Sequence, residues 1–410
     1  METKRRLLSG RESLFLAAFV IVVLVLLAAE EQIFSPVREK SRHESVVKAL
    51  PSVGGLSDPG LLSHRLISYD ENMGFVTDKM ATLARGNTLY FFKAVEDRCD
   101  KSTADDFISC ANNILGQQFY YKSSSSVADA WANRYSDCDL NSYLLMDVMN
   151  RAGFQVRIVY SPGHAFISYT DEYGNIHFQE TTGNENTGTD ADLNGAFYRK
   201  ALPGFFYQPQ NVAFAEKLYP ILTVGKLPEK EGRQLASDMF SAWPENPLVQ
   251  DIYFHFRQPL LDEDATSLKS LLVTDISSSS KRLMLTRYYT QKGDPDLAGR
   301  YIGQIDDDFC NDTCLTFKAN QSFKYKIILW FKNNIEPKAT IAMIQGFLDD
   351  VGAVCVFIFA CIIVFLSWPE IAGYLTRISV QIPLLSALHL KQYTDPGASK
   401  KSGLPSAEQE

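Results

Sequence analysis

Residues 136–183 read SDCDLNSYLLMDVMNRAGFQVRIVYSPGHAFISYTDEYGNIHFQETTG, and the reading of this stretch decides the fold. Leu140, Leu144, Leu145, Val148, Met149 and Ala152 recur at the spacing of a helix with one buried face, and Gly153 supplies its stop. Val156, Ile158 and Tyr160 then alternate with polar neighbours, which predicts a strand over 155–160. A second strand is expected over 165–169, after the bend Ser161-Pro162-Gly163. The turn Asp171-Glu172-Tyr173-Gly174-Asn175 leads to a third over 176–181. The expected class is α+β, a helix packed on an antiparallel sheet.

The same stretch carries three groups that can do chemistry together. Cys138 stands at the start of the helix, where unpaired backbone N–H groups favour the thiolate, the form of cysteine that attacks. His164 opens a strand beside it and can take the thiol's proton, and Glu180 on the next strand can accept from the other ring N–H. Singly, each is an ordinary structural residue; jointly, on one helix–strand–strand unit, they form a candidate site.

On either side of this stretch the pattern is mostly helical. Between Tyr69 and Trp131 apolar residues fall at mixed three and four spacing, which predicts two helices, with Ser125 or Ser126 as a cap near Asp129. Residues 183–195 are polar and Gly-rich; Asp190, Asp192 and Asn194 match the first half of a calcium loop, but Ala201 stands where its bidentate Glu is needed. A surface loop or lid is the simpler expectation. From Asn211 to Asp307 helices are punctuated by Trp243-Pro244-Glu245-Asn246-Pro247 and Gly293-Asp294-Pro295-Asp296, as in stacked helix pairs. Residues 317–331 are amphipathic or strand-like.

The 410 residues also contain two uncharged apolar runs, Ser13 to Ala29 and Val351 to Trp368, each of a length that spans a bilayer. The first lacks a small-x-small cleavage site and reads as an anchor rather than a leader. Lys4, Arg5, Arg6 and Arg11 before it, and Arg377, Lys391, Lys400 and Lys401 after the second run, place both ends on the cytoplasmic side. The middle is then extracytoplasmic. A net charge of -8 offers no basic face for nucleic acid, and two spans without a polar stripe offer no transport path.

Cysteine usage agrees with that placement. Of seven cysteines, Cys355 and Cys361 fall in the second run, while Cys99 with Cys110 and Cys310 with Cys314 can close short disulfides in an oxidising compartment. Cys138 is left as the odd thiol.

The motifs SDCD (136–139), SPGHAF (161–166) and QETTG (179–183) resemble the core of the transglutaminase-like superfamily of bacterial thiol enzymes. The likeness covers roughly residues 96–200 and departs from the family pattern at Ser136, Phe166 and Glu180. It implies a papain-like core in which Cys138 is nucleophile, His164 general base and acid, and Glu180 the orienting carboxylate. The backbone N–H of Cys138 would help hold the oxyanion, with Trp131, Gln117 and Gln118 as candidates to assist and no motif to choose among them. No cofactor is implied. The segment RLMLTRYYTQKGDPDLAGRYIGQI (282–305) resembles a tetratricopeptide-type unit.

The domain plan expected is a cytoplasmic N-terminus (1–12), a span (13–29), a stalk (30–68), a transglutaminase-like domain (69–208), a helical domain (209–307), a connector (308–350), a second span (351–368) and a cytoplasmic tail (369–410). The function expected is a membrane-anchored thiol enzyme, a cysteine protease, amidase or acyltransferase, facing the periplasm from a bacterial inner membrane. It would act at an amide of a protein or envelope polymer and use the helical region to hold other envelope proteins. The alternative is an inactive scaffold for polymer assembly or secretion.

Overall fold

The computed structural model describes residues 39–334, apart from 184, 185, 187, 196, 197 and 199–203. The expected spans at 13–29 and 351–368, and the two cytoplasmic ends, lie outside the described residues. Among the described residues no helix is long and apolar enough to cross a membrane.

The first half of the chain holds α1 (residues 39–48), α2 (Leu62–Asn72), α3 (Asp78–Arg98), α4 (Ala104–Gln118), β1 (Tyr120–Tyr121), α5 (Val127–Ala132), β2 (Tyr135–Ser136) and α6 (Cys138–Ala152). The strands β3 (Val156–Ser161), β4 (His164–Thr170), β5 (Ile176–Glu180) and β6 (Thr189–Asp190) follow, joined in that order as an antiparallel sheet. The rest is helical: α7 (Val212–Leu222), α8 (Glu229–Ala242), α9 (Pro247–Phe256), α10 (Asp262–Leu271), α11 (Ser279–Gln291), α12 (Pro295–Gly303), α13 (Asp312–Gln321) and α14 (Phe323–Asn334). The class is α+β.

α6 is the axis. Its boundaries follow from local chemistry: Asp137 accepts from the N–H of Leu140 at one end, and Gly153 takes a left-handed φ of 92° at the other. One buried face was expected, yet Leu140 to Met149 are buried without interruption. The sheet covers one side through Val156, Ile158, Tyr160, Ala165 and Ile167, and α2, α3 and α4 cover the other. Polar residues on that second side are used rather than wasted. Asp147 accepts from the N–H groups of Leu62 and Ser63, each at 2.8 Å, and so caps α2 from across the core.

Between Tyr69 and Trp131, where two helices were expected, the chain runs through four, the end of α2 and then α3, α4 and α5, because Gly74 and the Asp100–Thr103 segment each end a helix and Thr77, Thr103 and Ser126 each cap a new one. Nor do the described residues of the stalk stand off from the domain. His43 Nε2 lies 2.6 Å from the carbonyl of Gly116, the N–H of Gly55 donates to Thr82 O at 3.0 Å, and Arg134 donates to the carbonyl of Pro51. Gly86 is needed there: any Cβ would fall 1.4 Å from Val53 O.

In the second half, α8 packs on α9, α11 on α12 and α13 on α14. The turns seen in the sequence do what their residues predict, since Asn246 and Asp294 cap helices that open on Pro247 and Pro295. Residues 317–331, expected as amphipathic or strand-like, are helical, split at Ser322 into α13 and α14.

Candidate active site

The site forms where the N-terminus of α6 meets the end of the sheet. β3 and β4 are joined by Pro162-Gly163, with Gly163 at φ 70°, and this turn pairs Ser161 with His164 in register. His164 is thereby the first strand residue. On the next strand Ile167 opposes Gln179, which brings Glu180 alongside Phe166 and on the same face as His164. The imidazole Nε2 lies 2.7 Å from Glu180 Oε2, with only 14% and 17% of the two side chains exposed.

Cys138 is unbridged and half-buried. Its sulfur is approached by the backbone N–H of Ala165, the residue after His164, and by that of Asp139. The fold therefore pairs His164 with Glu180 and sets Cys138 at the helix end beside the strand that His164 opens.

Glu180 is held by a lock that the sequence did not announce. Asn141, one turn along α6 from the thiol, donates to Thr181 O at 2.9 Å and to Asn186 Oδ1 at 3.0 Å. Asn112 on α4 donates to Thr181 O at 3.3 Å and Asn186 O at 2.7 Å, and Asn186 Nδ2 returns to Phe119 O at 3.0 Å. Thr181 Oγ1 and Ser142 Oγ donate to the carbonyl of Cys138 at 3.3 and 2.7 Å. These bonds tie the strand end bearing the carboxylate to the helix end bearing the thiol. Mid-helix asparagines carry no periodic signal, which is why only the tertiary structure exposes them.

The electrostatics overturn one expectation. The helix N-terminus was expected to favour the thiolate, but the Cys138 thiol is pushed well up, first by burial and then by Asp139 and Asp137; the two N–H groups offset this only in part. Asp137 is itself held well above the usual carboxylate range by burial and by Asp139, to which it is hydrogen-bonded. The resting cysteine is a neutral thiol.

The three candidates for assisting an oxyanion fare differently. Gln117 is exposed and accepts from Arg98 at 3.2 Å, Trp131 is fully buried in the core, and Gln118 is buried at the end of α4. Tyr121, like Tyr160, is instead a phenol that feels the charge of Cys138. Its hydroxyl is pushed up to about 12, first by burial and then by Cys138, and Lys40 Nζ stands 5.1 Å from its ring. The parallel pairing of Tyr121 with Ser136 carries it into range of that charge, and no local pattern predicts that pairing.

Both close cysteine pairs are disulfides, Cys99–Cys110 and Cys310–Cys314. Among the described residues the calcium half-motif is not gathered into a site. Asp190 is drawn into β6 opposite Gln179, Asp192 accepts from the N–H of Asn194 at 2.9 Å, and among the described residues no three His, Cys, Asp or Glu side chains are grouped to hold a metal. Comparison with protein-family models, with curated proteins and with solved structures finds no match to this chain.

Proposed function

We propose that the chain is a membrane-anchored, extracytoplasmic thiol enzyme of the transglutaminase-like class, with a papain-like core, acting at an amide bond of a protein or envelope polymer. The observation that carries this reading is the imidazole of His164 bonded at 2.7 Å to Glu180 while the next backbone N–H, that of Ala165, meets the Cys138 sulfur. Glu180 holds Nε2, so proton exchange with the thiol runs through Nδ1.

The chemistry follows from a neutral resting thiol. His164 takes the thiol proton as the sulfur attacks the carbonyl carbon, a C–S bond forms, and the oxyanion meets the N–H of Cys138 in the first turn of α6. The imidazolium then gives its proton to the leaving nitrogen as the C–N bond breaks, which leaves an acyl thioester. Water or an amine, deprotonated by the same imidazole, attacks the thioester and releases the thiol. The helix pairs α8/α9 and α11/α12 support a repeat-like surface for gripping the partner.

Separate Cys138→Ala and His164→Ala proteins are expected to lose covalent labelling by a peptidyl electrophile and processing of the partner. Undiminished activity in both sinks the proposal. One observation favours the alternative, an inactive scaffold: the carboxylates that hold the thiol up. A Cys138 no more reactive than free cysteine, with partner binding retained in Cys138→Ala, would identify that case.

A further inference from the structure

We propose that a cavity beside the His164 turn is a specificity pocket for a cationic group of the substrate, a guanidinium or an ammonium, a proposal that rests on the thiol-enzyme reading above. The cavity has a volume of about 530 Å³, within the range of small-ligand sites. Pro162 and Gly163, the two residues before His164, form one wall, with Ser123 from the loop after β1. Asp251 of α9, Asp275 and Ser279 form the facing wall. A side chain entering here starts within one residue of the imidazole.

The charges in the facing wall do not balance. Lys281 is fully buried and its Nζ lies 2.6 Å from Asp251 Oδ1 and 2.7 Å from Asp275 Oδ2. One ammonium thus serves two carboxylates. Asp275 is only 7% exposed, yet its Oδ1 is buried with no hydrogen-bond partner among the described residues. Arg282, though close enough to feel Asp275, turns its guanidinium to the carbonyls of Ile276 and Ser278 and to Gln304. A buried carboxylate oxygen without a donor is costly, and a purely structural ion pair would leave none. A positively charged N–H donor entering from the cavity that Asp251 and Asp275 line neutralises the surplus charge, and a rotation of the Asp275 carboxylate, whose Oδ1 is closed to solvent as it stands, turns that oxygen to the donor.

The test has two arms on the full-length protein in detergent. In the first, Cys138→Ala protein is titrated with N-acetyl-arginine amide and with its uncharged isostere, N-acetyl-citrulline amide. Arginine is expected to bind about tenfold or more tightly, and Asp275→Asn or Asp251→Asn, each checked by thermal melting, to erase the difference. In the second, wild-type Cys138 is labelled by tripeptidyl vinyl sulfones bearing arginine or citrulline at each position in turn. The arginine probe should react about tenfold faster at one position. Equal binding of the two amides overturns the pocket whatever the labelling arm reads. Preferred arginine binding without any Cys138 labelling leaves the pocket standing and removes the catalytic reading instead.

Discussion

The proposed reaction moves the thiol's proton onto His164, and Glu180 should be felt as that positive charge develops. Glu180 Oε1 is buried with no partner among the described residues. A Gln can therefore put its NH₂ in that place while its carbonyl still accepts from Nε2, so Glu180→Gln removes charge and little else. A full charge pair about 4 Å apart in an effective dielectric of about 20 is worth roughly 4 kcal/mol. The residual exposure of 14% and 17% reduces this, to about 2–3 kcal/mol, or a loss of about 30- to 160-fold in rate. Glu180→Ala also loses the grip on the ring's tautomer, for a total of about 10³-fold. The assay is alkylation of Cys138 by iodoacetamide at pH near 7.5, followed by intact mass. Cys355 and Cys361 are changed to Ser, and the other four cysteines are already in disulfides. A folded Glu180→Ala protein that reacts at the wild-type rate refutes the role given to the carboxylate.

Other outcomes follow from the same contacts. Asp139→Asn removes a charge that disfavours the thiolate, so alkylation at neutral pH should quicken severalfold and its pH profile move down; an unchanged profile contradicts the electrostatics described. Asn141→Ala gives up two bonds of the lock and should cost about 2–3 kcal/mol in urea unfolding, with slower alkylation because Glu180 loses its hold. Stability against pH carries two opposed signals around α2. Burial lowers His64 from 6.5 to about 4, so its contribution is lost as pH falls across that window; burial raises Asp147 from 3.8 to about 6, so its contribution is lost as pH rises. Each amounts to about 3 kcal/mol, and between pH 4 and 6 they nearly cancel. Asp147→Asn should therefore make the protein acid-labile in that range, and His64→Leu should make it gain stability on acidification; the slope of unfolding free energy with pH is the readout, and parallel slopes in the two variants would falsify the assignment.

Much of the site's frame was legible in the chain because it is built from local rules. The Gly153 stop, the Pro162-Gly163 turn and the hairpin at Asp171 to Asn175 each depend on neighbours a few residues away. Strand alternation then fixed which residues face the same way, and that was enough to put His164 and Glu180 together. The two disulfides close loops short enough to be read from spacing. The lock of Asn112, Asn141 and Asn186 was not legible, since a buried amide declares its partner only when distant carbonyls arrive.

The sequence by itself determined the class of the fold, the cysteine pairs that bridge, and the imidazole and carboxylate that meet. Only the tertiary structure decided the protonation of that thiol, because burial and the flanking Asp137 and Asp139 outweigh the helix-end N–H groups that sequence position alone would favour. It also decided that residues 39–55 lie on the domain, that Gln117 is exposed and bonded to Arg98 rather than placed at the thiol, and that Asp251 and Asp275 from the helical half line a cavity with the turn before His164. The reason is the same in each case: desolvation and charge depend on what packs around a group, and those neighbours come from parts of the chain far from it in sequence.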